Sequence, residues 1–150
     1  MNLIFFMIQL YSYKPNQSTF KLFFMSYASL STFGNDHNTW LGIIDFYNNE
    51  FNILKSRLQE LVRKNNPPEV MAGVEHFQNQ FIVQRNNLDE LKHIIKEHNG
   101  KVTKDAKAHE GEIEAALVTD HNELKEQIGT FEKIAVELRN EFNQFLEKWT

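Results

Sequence analysis

Residues 40–64 read WLGIIDFYNNEFNILKSRLQELVRK, and the spacing of apolar side chains in this stretch decides the class of fold. Trp40, Ile44, Tyr47, Phe51, Leu54, Leu58 and Leu61 recur in alternating steps of four and three. Such steps return to one side of an α-helix, so this segment presents a single apolar face. Asp36 and Asn38 are candidate caps at its start. Asn65-Asn66-Pro67-Pro68 must end it, because proline pushes the residue before it out of the α region and has no amide to donate. The first helix is predicted over about residues 36–64.

The pattern repeats on both sides of later breaks. Pro67-Pro68 suits the opening of a second helix, where a missing amide costs nothing. Its seam is Val70, Val74, Phe77, Phe81, Gln84, Leu88, Leu91 and Ile95, and Asn99-Gly100 offers a left-handed cap, so this helix is predicted over about residues 67–98. A third seam runs Val102, Ala106, His109, Ile113, Leu117, Asp120, Leu124, Ile128, Phe131, Ala135, with a repeat of eleven, and continues through Leu138, Phe142, Phe145 and Trp149. It predicts a helix over about residues 103–148, with Gly111 and Gly129 as points of bending or breakage. Short links make successive helices antiparallel neighbours. The expectation is an all-α antiparallel three-helix bundle or coiled coil with a long C-terminal helix, becoming four helices if the chain breaks at Gly129.

The 150 residues suffice for one domain with a real core. The formal charge of -4 is spread over interspersed acids and bases, which leaves no basic stripe for a phosphate backbone, so nucleic acid is not an expected partner. The absence of cysteine removes disulfides, thiolate nucleophiles and zinc-thiolate sites, and fits a cytoplasmic location. Residues 1–34 are rich in Phe, Tyr and Ser and lack a helical repeat, so they read as a non-globular segment ahead of a bundle domain at 35–150. The apolar run from Leu3 to Leu10 is too short to cross a bilayer. Ser26-Tyr27-Ala28 has the spacing of an export cleavage site, but Lys14, Pro15, Asn16 and Gln17 interrupt the apolar stretch upstream. Translation from Met25 is the plainer account, and export is the alternative.

With tight hairpins, residues at equal height on the first two helices have numbers summing to about 132, and on the second and third to about 199. The third helix then overhangs the Pro67-Pro68 corner, leaving Leu138, Phe142, Phe145, Leu146 and Trp149 as an exposed stripe. Such a stripe marks an interface, with a homodimer as the first explanation and a helical protein partner as the second. Gln84 and Asp120 fall on the seams and read as a buried polar layer that fixes register.

Chemistry would come from six histidines. Glu90-Leu91-Lys92-His93 matches the Glu-x-x-His of carboxylate-bridged metal bundles, without the second copy such sites need. His37, His98 and His109 continue their seams and gather, with Glu90 and His93, at one end of the bundle. Imidazoles converging from three helices bind zinc or iron, or act as a pH-sensitive latch. His76 and His121 fall off the seams and are expected on the surface. No serine-hydrolase elbow, phosphate-cradling glycine loop or zinc-protease His-Glu-x-x-His motif is present.

The stretch Val74-Glu75-His76-Phe77-Gln78-Asn79-Gln80-Phe81, with the helix leading to Glu90 and His93, resembles uncharacterised small all-helical proteins of Bacteroidetes-type bacteria. That resemblance implies no activity, and the residues point to no cofactor other than a metal. The residues themselves lead to a non-enzymatic interaction or scaffold protein acting by self-association and partner binding, with a metal-binding bundle at the histidine-rich end as the alternative.

Overall fold

The computed structural model describes residues 17–64, 67–109 and 111–149, with side chains from Leu30 onward. Three helices follow one another: α1 (Gln17–Lys64), α2 (Pro68–Ala108) and α3 (Ala115–Trp149). They form an all-α antiparallel bundle. Phe51 meets Phe81 and Phe77 meets Phe142 toward one end, while His37 meets His98 and His98 meets His121 at the other. The Phe51–Phe81 pair keeps the register expected for α1 and α2, whereas Phe77–Phe142 departs from the one expected for α2 and α3. Among the described residues there is no strand, and no helix is long and apolar enough to cross a membrane.

Each helix buries one unbroken seam in steps of four and three. In α1 it runs Phe33, His37, Trp40, Ile44, Tyr47, Phe51, Leu54, Leu58, Leu61. In α2 it runs from Val70 to Ile95 as expected, then onward through His98, Val102 and Ala106. In α3 it is Leu117, His121, Leu124, Ile128, Phe131, Ala135, Leu138, Phe142, Leu146.

Three boundaries differ from expectation. α1 begins at Gln17, not near Asp36, and its helical backbone passes through Met25, Ser26 to Ala28, and Gly34. Asp36 and Asn38 are therefore interior residues and not caps. The expectation for the run from Leu3 to Leu10 lies outside the described residues. α2 does not stop at Asn99-Gly100 but continues to Ala108. A glycine inside a helix costs about 1 kcal/mol relative to alanine, whereas fully burying a valine contributes roughly 1.5–3 kcal/mol. Val102 is 2% exposed, so the seam carries the helix through the glycine. α3 begins at Ala115 and not near residue 103; it passes through Gly129 without a break, so the expected three helices stand among the described residues.

The second link forms where the seam of α2 runs out. Gly111 adopts φ 92°, the left-handed conformation glycine adopts most readily, and its N–H donates to the Ala106 carbonyl at 2.8 Å. The Asp105 carboxylate accepts the Glu114 N–H at 2.7 Å and holds His109 Nδ1 at 2.8 Å, which ties the two sides of the link together.

Moving this link from residues 99–100 to the segment around Gly111 slides α3 back along the bundle. The expected overhang disappears, because Phe145 lies against Gly73 in the second turn of α2. Leu138, Phe142 and Leu146 are buried in the chain's own core, and Phe145 and Trp149 pack against it. The stripe read as a self-association surface is thus used inside a single chain.

The core falls into two parts. The larger runs from Trp40, Ile95 and Leu124 to the Pro67 corner, and a smaller cluster of Phe33, Val102 and Leu117 closes the opposite end. Between them lies one polar layer, formed by His37, His98 and His121.

Candidate metal centre

One histidine from each helix fills this layer because each occupies a seam position at the same height. They are 2%, 5% and 3% exposed for His37, His98 and His121, respectively. Ring centroids lie 5.0 Å apart for His37 and His98, 5.3 Å for His37 and His121, and 5.4 Å for His98 and His121. One ring nitrogen from each falls within 4.8 Å of the other two. Aromatic side chains seal the layer: Phe33 stacks on His121 at 3.9 Å, and Trp40 lies 4.7 Å from the same ring.

The outward nitrogens are held by acceptors. His98 Nε2–H donates to the Leu117 carbonyl at 3.0 Å, and His121 Nε2–H donates to Asp36 Oδ2 at 2.9 Å. A neutral imidazole carries one hydrogen, so Nδ1 of both rings is a bare lone pair. Nδ1 of His121 is buried with no hydrogen-bond partner among the described residues.

His37 stands between two demands. Its Nε2 is 2.8 Å from the lone pair of His98 Nδ1, and its Nδ1 is 3.1 Å from Asn99 Oδ1. With one hydrogen it satisfies only one of these contacts. Either Nε2–H donates to His98 and the Asn99 carboxamide turns its NH₂ toward Nδ1, or Nδ1–H donates to Asn99 Oδ1 and two lone pairs confront each other across 2.8 Å. The second arrangement is stable only with a cation between them.

Burial, and then the proximity of His98, lower the His37 pKa from 6.5 to about 4. Burial also lowers that of His121, against the opposing pull of its hydrogen bond to Asp36. Both rings are consequently neutral near pH 7, the state in which imidazole binds metals.

His37 and His98 are the two expected candidates that the structure brings together. His109 is exposed on the link beside Asp105, His93 is exposed beside Glu97, and Glu90 is exposed on α2. These three do not join the cluster, because the later position of the link carries His109 beyond the layer and the other two lie off the seam. Gln84 is buried as expected and accepts from Asn87 Nδ2 at 3.1 Å, but Asp120 is exposed. His121, expected on the surface, takes the buried position instead. Counting back from Leu124 in strict steps of three and four lands on His121 and then Leu117. The eleven-residue repeat that selected Asp120 came from extending the third seam back across the link.

The chain matches no known protein-family model, no curated protein and no solved structure.

Proposed function

We propose that this chain is a metal-binding helical bundle in which His37, His98 and His121 hold one divalent transition ion. The observation that carries the reading is the buried, unpartnered Nδ1 of His121 in a layer where one nitrogen of each ring is engaged by Asn99, the Leu117 carbonyl or Asp36. Histidine ligands in metal sites typically donate their second N–H to a carboxylate, a backbone carbonyl or another polar group, and Asp36, Leu117 and Asn99 supply that set. With a cation bound, the His37 hydrogen belongs on Nδ1, the Asn99 oxygen accepts it in its present orientation, and three lone pairs converge.

Neutral imidazoles without a thiolate suit zinc and its neighbours in the first transition row. Tetrahedral zinc with N ligands at about 2.0–2.1 Å holds them roughly 3.3 Å apart, so His37 and His98 need to separate by about half an ångström from their 2.8 Å contact. Three protein ligands leave a fourth position for water or a small ligand. Bound metal ties all three helices together at the end remote from Pro67.

Self-association through the C-terminal stripe loses its support, since that stripe is buried within the chain. The competing account of the layer is a metal-free set of hydrogen bonds that fixes register. Cobalt(II) titration of chelator-treated protein, followed by the visible bands of tetrahedral cobalt, separates the two. One equivalent bound in the wild type, displaced by zinc and lost in His121→Gln, is the expected result. Absence of binding with cobalt in excess, or unchanged binding in His121→Gln, would overturn the metal reading.

A further inference from the structure

The apolar seams are not the only stripes that recur in steps of four and three. Beside the seam of α2 run Glu90, Ile94, Glu97 and Lys101, and beside that of α3 run Asp120, Glu123 and Gln127. Residues so spaced share one side of a helix, and the packing of α2 on α3 sets the two stripes along one groove. One stretch of it, about 560 Å³, is lined by Glu90, Glu123 and Glu126 among others. The next, about 160 Å³, is lined by Glu97, Asp120 and Glu123, and Ile94, Glu123 and Gln127 belong to both. The charged lining is thus five carboxylates and one lysine, Lys101, which Glu97 holds at 2.8 Å. His98, one of the three clustered histidines, forms part of the wall of the second stretch.

The other approaches to the histidine layer are covered or carry the opposite charge. Along the bundle axis, Phe33, Val102 and Leu117 cover the layer on one side, and the larger core, beginning at Trp40 and Leu124, covers it on the other. Between α1 and α2 the neighbouring cleft is largely apolar, and its one charged lining residue is Lys107. Between α1 and α3, Asp36 is engaged by His121, and Lys125 is close enough to disfavour positive charge on that ring. A groove lined by one sign of charge focuses the field and raises the local concentration of the opposite ion. The stretch beside His98 is several times the roughly 30 Å³ that one water takes up in the liquid, so a partly hydrated ion fits it.

We infer that divalent cations enter and leave the histidine layer through the α2/α3 groove, steered to the side of His98 by Asp120 and Glu123. This route rests on the metal assignment made for the layer and adds how that site is loaded. The carboxylates draw the hydrated ion in, and the imidazoles replace its water. Asp120 and Glu123 are positioning residues that do not ligate the bound ion.

The test is stopped-flow mixing of the chelator-treated full chain with cobalt(II), followed by the visible bands of the bound ion, with dissociation measured by a chase of excess zinc(II). The double variant Asp120→Asn, Glu123→Gln should associate about three- to tenfold more slowly at about 10 mM ionic strength, and the difference should shrink at about 1 M. Glu69→Gln, Glu75→Gln changes the net charge equally at exposed positions toward the Pro67 end, and should leave the rate within about twofold. Narrowing the groove in Gln127→Trp should slow association and dissociation alike, by about fivefold or more, while equilibrium affinity stays within about twofold, because a passage acts on both directions equally. Asp120, Glu123 and Gln127 are exposed, and circular dichroism verifies that each variant is folded. Unchanged rates in Gln127→Trp, or equal slowing in the two charge variants, would overturn the route and leave the metal site standing. Absence of cobalt binding to the wild type at equilibrium would overturn both together.

Discussion

Toward the Pro67 end, the seams of the three helices meet through Phe51, Phe77, Phe81 and Phe142, with ring centroids 5.2 to 6.3 Å apart. At the opposite end equivalent positions hold His37, His98 and His121, at 5.0 to 5.4 Å. The spacing of rings is much the same, yet the consequences differ. Phenylalanine rings are satisfied by contact with one another. Imidazoles carry two nitrogens each, and burying them without partners is costly. The histidine layer therefore draws in Asp36, Asn99 and the Leu117 carbonyl, which the aromatic layer has no use for. One end of the bundle is satisfied by packing alone, and the other depends on hydrogen-bond partners around its rings.

The aromatic end is most vulnerable at Phe142, which is fully buried. Phe142→Ala should lose about 3–5 kcal/mol in urea denaturation, as large cavities in cores do. A loss under 1 kcal/mol would show that the aromatic layer does not carry the fold.

The histidine layer should respond in the opposite sense. Replacing His37, His98 and His121 together by Leu removes the unpartnered Nδ1, so the triple variant should equal or exceed the metal-free wild type by roughly 1–3 kcal/mol. A clear loss of stability, measured in the presence of chelator, would instead make the layer a structural hydrogen-bond network.

Titration distinguishes the two ends again. His37 has its folded pKa lowered to about 4, so between pH 6.5 and about 4 the unfolded chain takes up a proton that the folded chain refuses. Stability should be insensitive to this group above pH 6.5 and fall by up to about 1.4 kcal/mol per pH unit below it, levelling near pH 4. His121, lowered in the same direction, adds to the slope. Denaturation midpoints between pH 7.5 and 4, compared with His37→Gln, measure the effect, and parallel curves would refute it.

Two glycines provide the finest contrast. A methyl group at Gly73 would collide with the Phe145 ring, whereas one at Gly129 meets nothing within 4 Å. Gly73→Ala should therefore lose about 1–3 kcal/mol through overpacking. Gly129→Ala should gain up to about 1 kcal/mol through helix propensity. Matching shifts in melting temperature would mean that Phe145 yields without cost.

Much of this was legible from spacing. Steps of four and three from Trp40 to Leu61 and from Val70 to Ile95 identify buried faces without reference to any partner, because a helix repeats at 3.6 residues whatever it packs against. Two of the three clustered histidines, His37 and His98, follow from the same seams. The link was not legible. Asn99-Gly100 is a good local stop signal, but the burial of Val102 and Ala106 outweighs it, and that burial exists only when α1 and α3 are present to cover them. Once the link moves, everything that depends on height moves with it: the C-terminal stripe turns inward, His109 leaves the cluster, and His121 enters it. The residues alone determine which face of each helix is buried, because that depends on local geometry. Only the packing of three helices decides which layers meet, because the position of a turn depends on the total surface buried on both sides of it.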